Sequence, residues 1–341
     1  LINNQYSSLK SMAASVLFET SSSSSFSSKF SQYQNDALVS RTNPETYKDI
    51  CVVKVLSKAK FSVYLVNSQV TKQNFAMKVF PFSASNKPHS YFENEARFAF
   101  MNHQNVIRTH HVERQRETIS KGTTKKVSYT IMEYAPNGDF FDLVMKYGKD
   151  MDDKLIRTYF RQLVEGLEYL HKNGVSHMDL KLENLLVGED FSLKIADFDL
   201  SHIAGDSKVM SKGTKFYRAP EVIQERCINT NAADVYSAGI ILFTMKTKGM
   251  LPHAEDNRVN GIDFAGLLYT NTNEFWNKHC EIQKVNHDTF DQDFKDLFTG
   301  MIRLNPSERL TIQQIKKSKW YNGPVYTAEE LRTKVGRFYG F

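Results

Sequence analysis

The order of apolar and polar residues divides the chain into a strand-rich first part and a helical second part. In the first part, β-branched and aromatic residues concentrate in short runs separated by polar turns, a pattern typical of consecutive antiparallel strands. These runs cover residues 51–56, 61–66 and 75–80. A helix is predicted over residues 91–101, and another strand over residues 127–133.

The second part begins after a predicted turn at residues 135–139, which contain Pro136 and Gly138. Apolar residues then recur at intervals of three and four positions, which places them on one face of a helix. A long helix is indicated by Leu155, Tyr159, Phe160, Leu163, Leu167 and Leu170, and further helices by residues 234–243, 294–302 and 312–320. We therefore expect an α+β, two-lobed fold, with a small antiparallel β-sheet plus one helix in the N-lobe and a larger, mainly α-helical C-lobe.

Residues 1–46 differ from the rest of the chain in being rich in serine. A segment of this composition buries too little apolar surface to offset the conformational entropy lost on folding, so we predict a disordered N-terminal arm. Its scarcity of acidic residues loosely resembles an organelle transit peptide, although serine-rich low complexity is the more common explanation. The first residue is Leu1, which leaves open a fragment, a processed chain or a start at Met12.

Composition and charge exclude several classes of protein. Hydrophobic residues make up 41% and charged residues 24% of the chain, as in ordinary globular proteins. The net charge of +6 is small and the basic residues form no dense cluster, so we expect no nucleic-acid partner and no membrane partner. The most basic stretch, residues 121–126, is predicted to be an exposed loop between strands.

Cysteine content and the length of the apolar runs predict a protein without a zinc site, a disulfide framework or a membrane helix. The three cysteines are widely spaced, which argues against a zinc site or a disulfide framework. The longest apolar stretches, such as residues 238–243, are far shorter than the ~20 residues that a membrane helix requires. We expect a cytoplasmic, intracellular protein, and the sequence predicts no particular oligomeric state.

One segment of the second part carries a dense set of catalytic residue types. It reads HMDLKLEN at residues 177–184 and is followed by ADFD at residues 196–199. These residues resemble the catalytic loop H-R-D-L-x-x-x-N and the metal-binding turn D-F-G of the eukaryotic protein kinase family. The sequence departs from the family pattern at two positions, where Met178 replaces Arg and Asp199 replaces Gly.

The chemistry of phosphoryl transfer explains why these residue types are needed. Charge spreads over the transferred phosphoryl group, so catalysis consists mainly of positioning and electrostatic stabilisation. The resemblance implies that Asp179 meets the attacking hydroxyl as the base and that Lys181 neutralises the γ-phosphate of ATP. Asn184 and Asp197 offer the oxygen ligands that Mg²⁺ prefers. We therefore expect ATP and Mg²⁺ as cofactors.

The strand-rich part carries a second element of the resemblance. Residues 75–79 read FAMKV and are similar to the V-A-I-K strand of the family, which makes Lys78 the residue expected to bind the α- and β-phosphates. Its expected partner is an acidic residue on the next helix. Glu95 fits best, and Glu93 is the alternative.

The glycine-rich loop of the family, G-x-G-x-x-G-x-V, has no glycine in this chain. The two possible alignments place the glycine positions on Leu56, Lys58 and Phe61 or, with one residue deleted, on Ser57, Ala59 and Ser62. The second alignment is chemically better, because small residues still let backbone N–H groups approach phosphate. The missing glycines predict weakened ATP affinity, and they keep open a pseudokinase that scaffolds partners without turnover.

Residues 213–221, which read GTKFYRAPE, resemble the end of the activation segment of protein kinases. In the family, the hydroxyl of Thr214 would bond the pair formed by Asp179 and Lys181, a feature of the Ser/Thr rather than the Tyr branch. The KLEN sequence at residues 181–184 indicates the same branch.

Two further matches concern architecture rather than chemistry. Asp234 is expected to anchor the backbone of the catalytic loop from the start of a helix. Arg309 is expected to pair with Glu221 at the end of the activation segment.

The resemblance also implies which residues surround the nucleotide. Met132 would be the gatekeeper, the following residues would form a hinge that reads adenine through backbone groups, and Asp139 would contact ribose or a basic group of the substrate. The expected contacts are Val63, Ala76, Met132, Glu133, Ala135, Asp139, Leu186 and Ala196, together with Ser57, Ala59, Ser62, Lys78, Glu95 and Asp197.

The resemblance covers approximately residues 47–321, which would form the N-lobe (47–132), the hinge (133–139) and the C-lobe (140–321), followed by a short tail (322–341). It implies a Ser/Thr protein kinase that transfers the γ-phosphate of ATP to protein hydroxyls, most similar to the calcium/calmodulin- and AMP-activated type. Acidic residues near the expected peptide groove, Asp139, Asp142 and Glu183, predict protein substrates with basic residues before the acceptor. The alternatives are the pseudokinase and a small-molecule phosphotransferase, which would not be expected to keep the segment at residues 213–221.

Overall fold

The computed structural model describes residues 49–83, 85–120, 123–204, 214–253, 258–259 and 262–341. The predicted disordered arm, residues 1–46, lies outside the described residues. The chain divides into two compact units, of which the N-terminal unit ends at Ala135 and the C-terminal unit begins at Pro136. This boundary falls within the segment predicted to be the hinge.

The N-terminal unit is built on a five-stranded antiparallel sheet with the strand order β1-β2-β3-β5-β4. The strands are β1 (Ile50–Lys58), β2 (Ser62–Ser68), β3 (Asn74–Pro81), β4 (Thr109–Ser120) and β5 (Thr123–Glu133). The strands predicted from the three apolar runs are confirmed, because β-branched and aromatic residues suit a pleated, half-buried surface. One apolar cluster of this unit contains Val66, Phe75, Tyr129 and Ile131, and another contains Phe61, Phe80, Phe92 and Ala96.

The prediction of a loop over residues 121–126 is wrong for residues 123–126, and residues 121–122 lie outside the described residues. Strand β5 already begins at Thr123, and Lys125 and Lys126 pair with Thr118 and Glu117 of β4. The two threonines that precede these lysines favour extended structure, which explains why the strand runs further than its charge suggests.

Helix α1 (Ser90–Arg97) is shorter than the helix predicted over residues 91–101. The imidazole of His89 caps its first turn by accepting a hydrogen bond from the N–H of Tyr91 at 3.3 Å. The chain leaves the helix at Phe98, yet Phe98 and Met101 stay buried. The apolar residues after Arg97 therefore reflect burial of a connecting segment rather than helical periodicity.

The C-terminal unit is mainly helical, which confirms the predicted α+β class. Its helices are α2 (Phe140–Tyr147), α3 (Asp153–Lys172), α4 (Pro220–Ile223), α5 (Thr230–Lys246), α6 (Phe264–Thr270), α7 (Thr272–Gln283), α8 (Gln292–Met301), α9 (Ile312–Lys317) and α10 (Ala328–Gly336). Its short strands pair as β6 (Val175–Ser176) with β9 (His202–Ile203), β7 (Leu185–Val187) with β8 (Leu193–Ile195), and β10 (Arg258–Val259) with β11 (Ile262–Asp263). Within the described residues, no helix has the length and apolar character needed to cross a membrane.

The core of the C-terminal unit forms around α5, which packs against α3 and α8. Residues 232–246 of α5 are all buried, so this helix is surrounded on all sides rather than covered on one face. Its buried residues are mostly apolar, and they include the charged Asp234 and Lys246. The helix predicted over residues 312–320 instead ends at Lys317, because Ser318 adopts an extended conformation. Trp320 is nevertheless buried beside Phe160 and Phe294.

A buried histidine lies in the aromatic core of this unit. The ring centroid of His279 is 4.8 Å from that of Phe243 and 4.5 Å from that of Phe264. Its Nε2 donates a hydrogen bond to the carbonyl oxygen of Pro252 at 3.2 Å, whereas its buried Nδ1 has no hydrogen-bond partner among the described residues. Burial first, and also the proximity of His253, lower the pKa of His279 to about 4, although the bond to Pro252 opposes this.

We expect His279 to make the folded state sensitive to mild acid. The pKa of His279 lies near 4 in the folded chain and near 6.5 when exposed, so the unfolded chain binds the proton more readily. The stabilisation is complete above pH 6.5 and is lost between pH 6.5 and 4, by up to roughly 3 kcal/mol. The check is urea unfolding of His279→Gln and of the exposed control His287→Gln at several pH values. The pH slope should flatten only in His279→Gln, and equal slopes in both variants would refute this assignment.

Candidate active site

In the N-terminal unit, the lysine predicted to bind phosphate forms a buried ion pair with its predicted acidic partner. Lys78 on β3 donates a short hydrogen bond to the carboxylate of Glu95 on α1. The hydroxyl of Thr130 on β5 donates to the second oxygen of Glu95 at 3.2 Å. The alternative partner, Glu93, instead binds the exposed Arg114 at 2.5 Å. The structure therefore joins Lys78 to the first of the two predicted glutamates.

The residues predicted to line adenine in this unit share one face of the sheet with Lys78. Val63 is the cross-strand partner of Lys78, and Ala76 lies two residues before it on the same strand. Met132 is the cross-strand partner of Ala76. Because opposite residues of antiparallel strands point to the same side, these side chains lie on one surface. The backbone N–H of Glu133 donates to the carbonyl of Arg108 at 2.8 Å.

The glycine-free turn connects β1 and β2 directly. Lys58 pairs with Ser62 and Ser57 with Val63, so only residues 59–61 lie outside the two strands. The backbone N–H of Ala59 donates to the hydroxyl of Ser57 at 3.4 Å. Of the three small residues in the favoured alignment, Ser57 is the last but one residue of β1, Ala59 lies in the turn and Ser62 begins β2.

The turn is attached to α1 through its two largest side chains. The ring of Phe61 is buried, with its centroid 4.5 Å from that of Phe80 and 5.9 Å from that of Tyr91. The ammonium of Lys60 lies 3.0 Å from the centroid of Tyr91, a cation–π contact. The ammonium of Lys78 is 5.8 Å from the centroid of Phe61. Sequence reasoning missed this contact because nothing along the chain shows that Phe61 turns inward.

In the C-terminal unit, the carboxylate of Asp179 lies at the centre of a hydrogen-bond network. One of its oxygens accepts from Lys181 Nζ at 2.7 Å and from Asn184 Nδ2 at 3.1 Å. The other accepts from the backbone N–H of Thr214 at 2.9 Å. Lys181 Nζ also donates to the hydroxyl of Thr214 at 3.0 Å, so Thr214 contacts the Asp179–Lys181 pair as the resemblance implied.

The electrostatics of this network favour a charged lysine beside a carboxylate. Burial would lower the pKa of Lys181, but the charges of Asp179 and Asp197 raise it above its ordinary value. Asp179 itself is buried. The arrangement presents one carboxylate held by fixed donors and one adjacent cation, which suits proton acceptance next to a developing negative charge.

Asp234, in the second turn of α5, holds the backbone at the start of the catalytic loop. Its carboxylate accepts from the backbone N–H of His177 at 2.8 Å and of Met178 at 2.9 Å, and His171 Nε2 lies 3.0 Å away. Met178 has a φ of 65°, in the left-handed region that is costly for a non-glycine residue. The two hydrogen bonds offset this cost, and the predicted anchoring role of Asp234 is confirmed.

The two predicted magnesium ligands lie at the same end of the β7–β8 hairpin. Asn184 directly precedes β7, and only Ala196 lies between the end of β8 and Asp197. Leu185, the first residue of β7, pairs with Ile195, the last residue of β8. The N–H of Ala196 donates to the carbonyl of Asn184 at 2.9 Å, which extends the hairpin up to both ligands. One carboxylate and one side-chain amide oxygen are the hard donors that suit Mg²⁺.

Asp139 and Leu186, both predicted to contact the nucleotide, are paired in a β-bridge. Asp139 also has a structural role that sequence reasoning missed, because its carboxylate caps α2 by accepting from the N–H of Asp142 at 2.8 Å. An aspartate three residues before a helical N–H is the sequence signal of such a cap.

The predicted pair of Glu221 and Arg309 is a buried, bidentate ion pair. The guanidinium donates to the two carboxylate oxygens at 2.5 and 2.7 Å. It also donates to the carbonyls of Ala232 at 3.0 Å and of Arg303 at 2.7 Å. The end of the activation segment is thereby fixed to the helices of the C-terminal unit.

Comparisons with known proteins agree with this geometry. The profile of the protein kinase domain matches residues 58–321. Similar curated proteins include CBL-interacting protein kinase 11 of Oryza sativa subsp. japonica, 35% identical over 207 residues (59% of this chain, 38% of that protein). A probable serine/threonine-protein kinase MARK-B of Dictyostelium discoideum is 35% identical over 224 residues (65% and 29%). CBL-interacting protein kinase 31 of Oryza sativa subsp. japonica is 30% identical over 283 residues (80% and 53%).

The chain spans 29% to 53% of the length of these three relatives. The matched region contains Lys78, Glu95, the Asp179 network and the Glu221–Arg309 pair. The family match extends over most of the chain, and the similar protein of Dictyostelium discoideum is named as a probable serine/threonine-protein kinase. The chain therefore belongs to the protein kinase family, in its Ser/Thr branch.

Proposed function

We propose that this chain is a Ser/Thr protein kinase that transfers the γ-phosphate of ATP to hydroxyl groups of protein substrates. The observation that carries the proposal is the network in which Asp179 is held by Lys181, Asn184 and the N–H of Thr214. A carboxylate that merely stabilised the fold would not require a partner lysine that also donates to the hydroxyl of Thr214 in the activation segment.

In the proposed reaction, the oxygen of the substrate hydroxyl forms a bond to the γ-phosphorus of ATP, and Asp179 accepts the proton of that hydroxyl. The bond between the γ-phosphorus and the oxygen that leaves with ADP breaks. Lys181 stabilises the charge that develops on the transferred group. Lys78, held by Glu95, binds the α- and β-phosphates. Asn184 and Asp197 would hold Mg²⁺, which when bound neutralises phosphate charge.

The proposal is tested by identifying the labelled amino acid. The wild-type chain is incubated with γ-labelled ATP, Mg²⁺ and three peptides that differ only in carrying serine, threonine or tyrosine as acceptor. We expect label on serine and threonine. Label confined to tyrosine would contradict the assignment to the Ser/Thr branch, and label on a small alcohol but on no peptide would favour a small-molecule phosphotransferase.

The turn at residues 59–61 is proposed to serve ATP binding without glycine. Ser57, Ala59 and Ser62 are small enough for backbone donors to approach phosphate, while Phe61 anchors the turn to α1. The same anchoring stabilises the helix that carries Glu95. An inactive scaffold gains no support here, because the Lys78–Glu95 pair and the Asp179 network are both formed.

Restoring a glycine at Phe61 is expected to harm the protein rather than improve it. Phe61→Gly removes a buried ring from the cluster with Phe80 and Phe92, which should cost roughly 3 kcal/mol of stability. The control Ala59→Gly, in the turn itself, should cost roughly 1 kcal/mol or less. Thermal unfolding and calorimetric titration with Mg-ATP check both variants. Tighter ATP binding by Phe61→Gly would show that the ring obstructs phosphate instead of supporting its site.

The substrate preference is proposed to favour basic residues before the acceptor. Oε2 of Glu183 is buried and has no hydrogen-bond partner within the described residues. Burial first raises the pKa of Glu183, and Asp139 raises it further, although Lys181 opposes this. Glu183 as a whole is half-buried, and its carboxylate is proposed to attract a cationic substrate side chain, with the exposed Asp142 as a second attraction.

A peptide comparison tests this preference. The ratio of kcat/KM for an Arg-containing peptide to that for its Arg-free analogue should be above ~10 in the wild type and should fall towards 1 in Glu183→Gln. Equal ratios in both proteins would refute the role of Glu183. Two relatives are named for interaction with CBL, which supports proposing protein partners for this chain as well. The cytoplasmic location and the calcium/calmodulin- and AMP-activated subgroup stay predictions.

A further inference from the structure

Residues 322–341, here called the strap, follow the region matched by the kinase domain profile but are built into the C-terminal unit. Two arginines of α3 hold the backbone at the point where the strap begins. Arg157 donates to the carbonyls of Trp320 at 2.6 Å and Pro324 at 2.9 Å, and Arg161 to that of Tyr321 at 2.8 Å. Charged donors on backbone carbonyls fix the path of the chain rather than the identity of its side chains.

The middle of the strap is helix α10, which is also tied to the start of α3. Thr327 and Glu330 form a capping box at its first turn. Leu331 and Val335 are buried. The hydroxyl of Tyr326, just before the helix, donates to the carboxylate of Asp152 at 2.8 Å.

The end of the strap contacts three parts of the C-terminal unit, namely α2, the turn between β7 and β8, and Asn137. Phe338 stacks on Tyr147 of α2 with ring centroids 4.9 Å apart. The ring centroid of Tyr339 lies 5.6 Å from that of Phe191. The hydroxyl of Tyr339 donates a 2.7 Å hydrogen bond to the carbonyl of Asn137. Burial first, together with nearby negative charges, raises the pKa of Tyr339 to about 12, so the hydroxyl keeps its proton near neutral pH.

Asn137 begins the short stretch that positions two predicted nucleotide contacts. Its N–H donates to the carbonyl of Val187 at 3.3 Å, and its side-chain amide donates to that of Gly188 at 2.7 Å. The N–H of Val187 donates to the carbonyl oxygen of Gly138 at 2.9 Å. Gly138 has a φ of 80°, which suits a residue without a Cβ. The next residue, Asp139, then pairs with Leu186.

We propose that Tyr339 is a positioning residue for nucleotide binding, which acts by holding the carbonyl of Asn137 and thereby the paired residues Asp139 and Leu186. The inference rests on the proposed function, since the ligand that these residues contact is ATP. By linkage, a docked strap favours ATP binding, and bound ATP favours the docked strap by the same factor.

The experiment compares wild type, Tyr339→Phe and the matched control Tyr326→Phe. Both substitutions remove one phenol hydroxyl from the strap, but only the first removes a hydrogen bond to Asn137. Hydrogen exchange of peptides covering residues 136–140 and 185–188 is measured without nucleotide, and the Kd for Mg-ATP is measured by calorimetry. We expect Tyr339→Phe to exchange roughly 5-fold faster and to bind ATP roughly 3- to 10-fold more weakly, with Tyr326→Phe like wild type.

Unchanged exchange in Tyr339→Phe, or a Kd for ATP equal to that of wild type, overturns the inference. An equal effect in Tyr326→Phe also overturns it, because the strap would then act only through stability. Neither readout needs turnover. A wild-type chain that binds Mg-ATP and shows these differences but transfers no phosphate would contradict the proposed kinase activity and leave the positioning role supported.

Discussion

Asp179→Asn is expected to lower the rate of phosphate transfer by roughly 10²- to 10⁴-fold, the usual contribution of a positioned general base. Asparagine is close in size to aspartate but cannot take up the proton of the attacking hydroxyl. It also removes the charge that holds Lys181 at 2.7 Å. The measurement is the initial rate at saturating ATP and peptide, which separates loss of chemistry from loss of binding.

The matched control is Asp288→Asn, an exposed aspartate that lies away from the catalytic loop in the chain and should leave the rate unchanged. Calorimetry should show that Asp179→Asn still binds Mg-ATP within a few-fold of the wild type, because Lys78 and Asp197 are untouched. A rate for Asp179→Asn within ~3-fold of wild type would contradict the assignment of the base.

Arg309→Met is expected to destabilise the C-terminal unit by roughly 3–5 kcal/mol, the largest stability effect that the structure predicts for one substitution. The side chain of Arg309 is fully buried and is bonded to both oxygens of Glu221. Methionine fills similar space but leaves the Glu221 charge in the interior without its cation. The carbonyls of Ala232 and Arg303 also lose their donor.

Urea unfolding followed by tryptophan fluorescence measures this loss. The only two tryptophans of the chain, Trp276 and Trp320, are both in the C-terminal unit, so the signal reports on that unit. Arg303→Met is the control, because the side chain of Arg303 is exposed and its substitution should change stability by less than ~0.5 kcal/mol. Similar midpoints for the two variants would show that the buried pair is not a main determinant of stability.

The catalytic constellation could be predicted from the sequence because most of it is local. Asp179, Lys181 and Asn184 lie within six consecutive positions, and their residue types suit one reaction. Thr214 and Arg309 are distant along the chain, and only the resemblance to a family connected them with Asp179 and Glu221. The structure then supplied the distances.

Features that depend on tertiary contacts could not be predicted. The sequence places Phe61 at the start of a predicted strand and at one position of an alignment, but its burial beside Phe80 and Tyr91 depends on where α1 packs. Residues 322–341 were predicted only as a short tail, because the carbonyl oxygens that hold them have no sequence signature. The helix prediction over residues 91–101 ran past Arg97, since buried segments outside helices also show apolar spacing.

The most direct test of the central claim is magnesium-dependent transfer of γ-labelled phosphate from ATP to a basic serine peptide, measured side by side for wild type, Lys78→Met and Asp179→Asn. The account predicts transfer by the wild type that requires Mg²⁺ and is lost in both variants. Transfer that persists in both variants would contradict the roles of these residues. A wild type that neither transfers phosphate nor binds Mg-ATP would contradict the claim that the glycine-free turn supports an active kinase.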